Sequence, residues 1–381
     1  MNPPAATGIN GLLLPGGGAR AAYQVGILQA LAEAMPASTK MPFKVVAGIS
    51  AGAINAAKLA THGEDFREGV ARLSELWGNL TVDRVYRTDL ATVAGDSLRW
   101  AWGLVRGLDR AGVRSLLNNQ PLRELLEREL DFEAVQRAIA SGSLRGLAVT
   151  AAGFTTAESV TYFQAAEGCT GWRRTRREGK PARLTVEHVM ASVALPILFP
   201  AALIDGEWHG DGSLRQTGPL SPTIHLGADR ILVLAVRNED PNRRHAAQAM
   251  PYPTFGQIAG YMLDSLFMDA IYTDLERIRR INHSVAMRSE LTEGPASELR
   301  PIDARIIVPS EDIRELVQAH KHAFPSTVRT LFGLIGARGP AGGQLMSYLL
   351  FDRAYCRALM DLGYRDGRAR RDELVPWLLG A

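Results

Sequence analysis

Twice within the first sixty-odd residues, a short apolar run breaks on glycine and gives way to a helical pattern. Gly11–Leu14 runs into Pro15-Gly16-Gly17-Gly18, and from Ala21 to Met35 the residues Val25, Leu28, Leu31 and Ala32 share one helical face. Phe43–Ala47 runs into Gly48-Ile49-Ser50-Ala51-Gly52, then a small-residue helix follows from Ala53 to Thr61 and stops near Gly63. Two strand–loop–helix units in tandem call for a parallel sheet with crossover helices, so the chain is expected to be α/β.

Further elements follow the same logic. Residues 66–118, with Trp77, Trp100 and Trp102, read as helical and amphipathic. Asn119-Gln120-Pro121 opens a helix carrying Leu122, Leu125 and Leu126. Leu147–Ala151 and Val160–Phe163 read as strands, and the arginine-rich stretch 171–183 as an exposed loop. Ala202–Ile204 and Glu207-Trp208 flank Asp205-Gly206, a hairpin turn pair. Ile231–Val236 predicts a central strand, 255–281 a long helix and 304–308 a last strand; 311–381 is mostly helical. The expected organisation is one main domain over 10–238, with a mostly helical extension over 239–381 packed on it.

Composition narrows the classes. Hydrophobic residues make up 46% and charged ones 22% of 381 residues, as in an ordinary globular chain. Forty-three basic against 40 acidic residues give a net charge of +3, too balanced for a nucleic-acid binder. Only Cys169 and Cys356 are present, which excludes a disulfide framework or a cysteine-rich metal site and suits a reducing, cytoplasmic setting. The opening MNPPAATGIN lacks the features of a secretory signal, although export by a route that reads none is compatible. No apolar stretch reaches the roughly 18–20 residues that span a bilayer, so any contact with lipid is peripheral.

Gly48-Ile49-Ser50-Ala51-Gly52 fits the G-x-S-x-G elbow, which presents a serine on a sharp strand-to-helix turn between small neighbours. The bare pattern is common; the strand before it and the helix after it make Ser50 a candidate nucleophile. Gly16-Gly17-Gly18-Ala19-Arg20 can turn successive N–H groups to one side, a cradle for an oxyanion. A dinucleotide loop is the competing reading, but it wants an acidic residue after the second strand, where Gly48-Ile49-Ser50 stands instead. Asp211, in Trp208-His209-Gly210-Asp211-Gly212-Ser213, is either an open strand-end carboxylate or a plain turn aspartate. Arg20 orients the loop, neutralises an anionic substrate or pairs with a carboxylate. Trp100, Trp102, Leu104 and Val105, between Arg99 and Arg106, read as a core-packed helix, with a membrane-facing lid as the alternative. Arg173, Arg174, Arg176 and Arg177 read as a solvated loop before a lipid-headgroup site.

Taken in order, the glycine loop, the Gly48–Gly52 elbow and Asp211-Gly212 resemble the patatin-like phospholipase family of bacterial type. Ala191–Pro200, Pro121–Leu126 with Asp131-Phe132, Asp274–Ile278 and Ser347–Phe351 are similar to further family segments, so the resemblance covers most of the chain. Ser213 departs from it, since glycine or alanine is more usual after Asp-Gly. The resemblance implies a three-layer fold, a mainly parallel sheet with helices on both faces. It implies a Ser50–Asp211 dyad without histidine, and an oxyanion hole from Gly16, Gly17, Gly18 and Ala19. Arg20, Gly48, Gly52 and Gly212 would support that site. The implied activity is hydrolysis of fatty-acyl esters of phospholipids or lysophospholipids through an acyl-enzyme, with no metal or organic cofactor. An aspartate of ordinary pKa is a weak base, so Asp211 is expected to be desolvated. Competing readings are an acyltransferase with the same dyad, a silent lipid-binding regulator, and a histidine relay using His209 or His225. Oligomeric state is left open.

Overall fold

A computed structural model describes residues 8–87, 115–238, 252–291, 300–337 and 342–380, and the fold is given for these. Ten strands form one sheet: β1 (Asn10–Leu14), β2 (Val45–Ile49), β3 (Gly146–Gly153), β4 (Ser159–Ala165), β5 (Trp172–Arg174), β6 (Arg177–Pro181), β7 (Ala202–Ile204), β8 (Glu207–Asp211), β9 (Arg230–Leu234) and β10 (Asp303–Ile307). Their order is β10-β9-β1-β2-β3-β4-β6-β5, with β8 also on β3 and β7 on β8. From β10 to β3 every pair is parallel. Every residue of β1, β2 and β3 is buried, as in strands covered on both sides, which explains their unbroken apolar runs. The chain is thus α/β, a mostly parallel central sheet with helices around it and a helical C-terminal part.

One substitution of neighbours positions everything that follows. β2 pairs with β3 as far as Ile49↔Thr150, and there it ends. β8 takes over the same edge of β3 from the next residue, antiparallel, with Asp211↔Ala151. The residue after Ile49 is Ser50. The register alone brings Ser50 and Asp211 end to end.

The C-terminal part is tied to the sheet and to its first helix, among other places. β10 extends the sheet beyond β9. The Arg353–Ala369 helix lies against the Ala22–Ala34 helix with the backbones nearly touching. A Cβ on Gly26 would stand 1.9 Å from the Met360 carbonyl oxygen, and one on Gly363 2.0 Å from that of Tyr23.

Two sequence expectations are corrected. Residues 171–183 are not a loop throughout: β5 and β6 pair there, and β6 extends the sheet from β4, Ser159↔Arg177 to Phe163↔Pro181. The arginines mark a charged sheet edge, where a backbone ladder forms whatever the side chains, and charge discourages edge-to-edge pairing. Residues 66–118 are not one helical run either. Helices cover Phe66–Gly78 and Val82–Val85, while 86–87 and 115–119 are non-helical. The 99–106 segment, read as a packed helix or a lid, lies outside the described residues. No helix among the described residues is long and apolar enough to cross a membrane.

Candidate active site

Ser50 stands between β2 and the Ala51–Ala60 helix at φ 54° and ψ −131°, a conformation that side-chain-bearing residues rarely adopt. Holding it costs on the order of 1–3 kcal/mol, so the surroundings must over-determine it. They do. Its N–H donates to Ser192 Oγ at 2.8 Å, and its carbonyl accepts from the Ala53 N–H at 2.8 Å. Ser192 Oγ in turn donates to the Thr150 carbonyl at 2.6 Å, on β3. The flanking glycines are required by contact: a Cβ on Gly52 would stand 2.0 Å from the Leu14 carbonyl, and one on Gly48 2.4 Å from that of Gly52.

Asp211 is 1% exposed. Its N–H donates to the Ala194 carbonyl at 2.8 Å, so the segment that holds Ser50 through Ser192 holds Asp211 two residues later. Burial pushes the carboxyl up to about 6; the Ser50 hydroxyl and the N–H and hydroxyl of Ser213 pull the other way without overcoming it. Oδ1 accepts the Ser213 N–H at 2.9 Å. Oδ2 has no well-aligned hydrogen bond among the described residues, so the Ser50 hydroxyl bears on the carboxylate through a loose contact. Hydrogen bonds between reacting groups are commonly long until substrate tightens them.

The glycine loop closes over the pair. A Cβ on Gly16 would come within 2.8 Å of Ser50 Cβ and 2.6 Å of the Phe267 ring. Gly18, at φ 52°, opens the short Gly18–Ala21 helical turn and lines the same pocket as Ser50 and Asp211. N–H groups at the start of such a turn have no partner within it. Arg20 does not line the pocket but sits behind Tyr348, which does. Its guanidinium meets Asp264 at 3.0 Å, Ser347 Oγ at 2.6 Å and the Tyr348 hydroxyl at 3.0 Å, and lies 3.8 Å over the Tyr348 ring. Of the three roles open to it in the sequence, pairing with a carboxylate is what the fold adopts.

A second buried chain runs behind the loop. Trp77 donates to Asn55 at 2.6 Å, Asn55 donates to Gln24 at 2.9 Å, and Gln24 donates to the Pro15 carbonyl at 3.0 Å. It joins the pocket wall to the residue that precedes the glycines.

The pocket itself is lined almost wholly by apolar side chains, among them Ile54, Trp77, Leu122, Leu125, Phe199 and Phe267. No histidine lines it among the described residues. His209 is buried against the Tyr162 hydroxyl at 3.1 Å and the Glu207 carbonyl at 2.9 Å, and His225 stacks on Trp172. The structure thus brings Ser50, Asp211 and the glycine loop together and sends these two histidines elsewhere. Sequence reasoning gave no role to Ser192, Asp264, Gln24 or Asn55. For Ser192 the available signal was its place in a run of small residues ahead of Pro196; the others carried none, since their partners lie 9 to 244 positions away.

The family model for patatin-like phospholipases matches residues 12–224, more than half of the chain. No curated protein matches significantly. Among solved structures, the chain is similar to VipD from Legionella pneumophila, at 14% identity over 96% of this chain and 67% of that one, TM-score 0.37. It is similar also to human GIVD cytosolic phospholipase A2, at 12% identity over 98% and 59%, TM-score 0.44. A third is the type III effector ExoU, known from Pseudomonas aeruginosa, at 16% identity over 89% and 74%, TM-score 0.30. The chain therefore spans 59% of the length of the human protein. At such low identities and scores the assignment rests on the family match alone, which takes in the glycine loop, the elbow and Asp211-Gly212. This chain belongs to the patatin-like phospholipase family.

Proposed function

We propose that the chain is a serine lipid-acyl hydrolase that cleaves fatty-acyl esters of phospholipids or lysophospholipids, with Ser50 as nucleophile and Asp211 as its base. Family membership supports lipid acyl hydrolysis. The observation that carries the finer reading is a buried carboxyl, raised to about 6, abutting an elbow serine at the end of an apolar pocket.

The chemistry follows from that pairing. An ionised aspartate of pKa about 6 is a better base than one in water, yet is still mostly ionised at neutral pH. Ser50 Oγ attacks the ester carbonyl while its proton passes to Asp211 Oδ2, the oxygen not occupied by the Ser213 N–H. The carbonyl oxygen becomes an oxyanion and is stabilised by N–H groups of Gly17, Gly18 and Ala19; each such donor is worth about 3–4 kcal/mol. Collapse expels the alcohol half of the lipid, which takes the proton from Asp211. Water, deprotonated by Asp211, then attacks the acyl-enzyme, and collapse frees the fatty acid as the departing Ser50 Oγ takes the proton back from Asp211. The apolar walls hold the acyl chain, and water is the default acceptor unless an alcohol competes for it.

Purified protein incubated with a fluorophosphonate probe should be labelled covalently, and Ser50→Ala should not. Phospholipid and lysophospholipid turnover should be lost in Ser50→Ala and fall by several orders of magnitude in Asp211→Asn. Wild-type protein that neither reacts with the probe nor releases fatty acid would overturn the reading in favour of a silent lipid binder. Acyl transfer to an added alcohol in preference to water would overturn it in favour of a transferase.

A further inference from the structure

Three large apolar side chains are partly exposed at one end of the sheet: Phe154 is 51% exposed, Leu203 50% and Trp208 41%. They are neighbours across three strands. Leu203 and Trp208 are directly opposed in the β7–β8 ladder. Phe154 follows Gly153, which is opposed to His209, and its N–H donates to the Trp208 carbonyl at 2.9 Å. Opposed residues of an antiparallel pair project to the same face. The Phe154 ring also overlies Gly210, where an added Cβ would meet Cζ at 2.8 Å, and Gly210 shares the face of Trp208 by strand alternation. His209 and Asp211 take the opposite, buried face. The same short strand thus carries Asp211 inward and an apolar row outward. The row sits at the carboxyl end of β3, the end at which parallel β1 and β2 deliver the glycine loop and Ser50.

Positive charge lies next to it. The Ser159 N–H, at the start of β4, donates to the Arg176 carbonyl at 2.9 Å, so the β5–β6 turn stands beside the turn that follows Phe154. That turn and the end of β5 expose Arg176, Arg173 and Arg174. Arg173 is matched by Glu158 at 3.3 Å. Arg174 and Arg176 form no ion pair among the described residues. Of the nearby acids, Glu207 is engaged by the N–H groups of Thr155 and Thr156, and Asp205 sits at the hairpin tip.

We infer that Phe154, Leu203 and Trp208, with Arg174 and Arg176, form a docking surface for an anionic lipid bilayer. Three side chains are far too few for a stable protein interface, which takes about 20–30 residues a side. A bilayer needs only a few apolar and aromatic anchors at headgroup level and basic residues against its negative surface. Docking there would bring the carboxyl end of the sheet, with the pocket, against the lipid. The inference rests on the lipid-hydrolase reading for its purpose, whereas binding itself needs no chemistry.

The test therefore uses the Ser50→Ala protein, which turns nothing over, sedimented with vesicles of phosphatidylcholine alone or mixed with phosphatidylserine. The parent should sediment with the mixed vesicles and much less with the neutral ones. Leu203→Asp/Trp208→Asp should lower the bound fraction about tenfold or more on the mixed vesicles. Arg174→Glu/Arg176→Glu, on an exposed edge turn, should lower it on the mixed vesicles by roughly tenfold and leave the neutral ones unaffected. Melting curves report folding, and if the apolar pair fails to fold the arginine pair decides. A folded Leu203/Trp208 variant that binds like its parent overturns the inference, as does binding indifferent to phosphatidylserine. So does a self-associating parent that the variant turns monomeric, since the row would then join copies of the chain. Failure of the hydrolase reading looks different: wild-type protein that binds vesicles yet hydrolyses no soluble ester.

Discussion

The backbone N–H of Ser50 donates to the hydroxyl of Ser192 at 2.8 Å, and that hydroxyl in turn donates to the Thr150 carbonyl at 2.6 Å. Ser50 is thereby pinned to β3, the strand on which β8 aligns Asp211. Ser192→Ala leaves a buried N–H without a partner, at a cost of about 1–3 kcal/mol. If the strained turn relaxes, kcat should fall by roughly ten- to a hundredfold with KM little changed. Steady-state kinetics on a soluble ester, beside a melting curve, would show it; an unchanged kcat would mean that Ser192 only supports the fold.

The proposed role of Asp211 as the base requires it to be ionised. The rate should therefore climb with pH up to about 6 and level off above it. Stability runs the other way. Because the folded pKa is raised above its unfolded value of about 3.8, burying the group favours folding fully only below pH 3.8, and that advantage is lost as pH rises through 6. Asp211→Asn removes the buried charge and keeps an acceptor for the Ser213 N–H. It should be more stable than wild type by about 2–3 kcal/mol at pH 8, with the difference shrinking toward pH 4. Denaturant unfolding at the two pH values checks the sign.

Gly18 combines φ 52° with a Cβ position 2.2 Å from the Tyr348 carbonyl oxygen. Gly18→Ala must shift the loop, the 343–349 helix or both. Turnover should fall at least a hundredfold, as for the loss of an oxyanion donor, while the protein still folds. Fluorophosphonate labelling should slow in parallel, since that reaction also develops negative oxygen at the loop.

Arg20 and Asp264 form an ion pair with side chains 2% and 3% exposed. Removing one partner strands the other charge in the interior, so Asp264→Ala should cost about 3–5 kcal/mol of stability. Arg20→Met/Asp264→Leu should recover much of that loss. Activity should not recover with it if the pair also sets the position of the loop, a contrast that thermal melts and ester turnover read separately.

What could be read in advance was local. The elbow at Ser50 and the glycine loop each occupy a few consecutive residues between a strand and a helix, and the Asp205-Gly206 turn announces its hairpin with φ 50° and 82°. Asp211 was ambiguous on its own, because its meaning depends on β8 replacing β2 along β3, pairings between partners 60 and 101 residues apart in sequence (Ala151↔Asp211 and Ile49↔Thr150). Ser192 and Asp264 act through a hydroxyl and a carboxylate that ordinary surface residues also carry. The 171–183 stretch misled because polarity reports exposure, not backbone pairing, and the edge of a sheet satisfies both.

The anchoring of Arg20 by Asp264, Ser347 and Tyr348 has a bearing on the order of events at the ribosome. A growing polypeptide has presented both Ser50 and Asp211 once some 211 positions have emerged, whereas the partners of Arg20 arrive at positions 264, 347 and 348. The buried anchor of the Gly18–Ala21 turn is thus completed well after the elbow and Asp211 have been made, so the turn cannot take its final place before then.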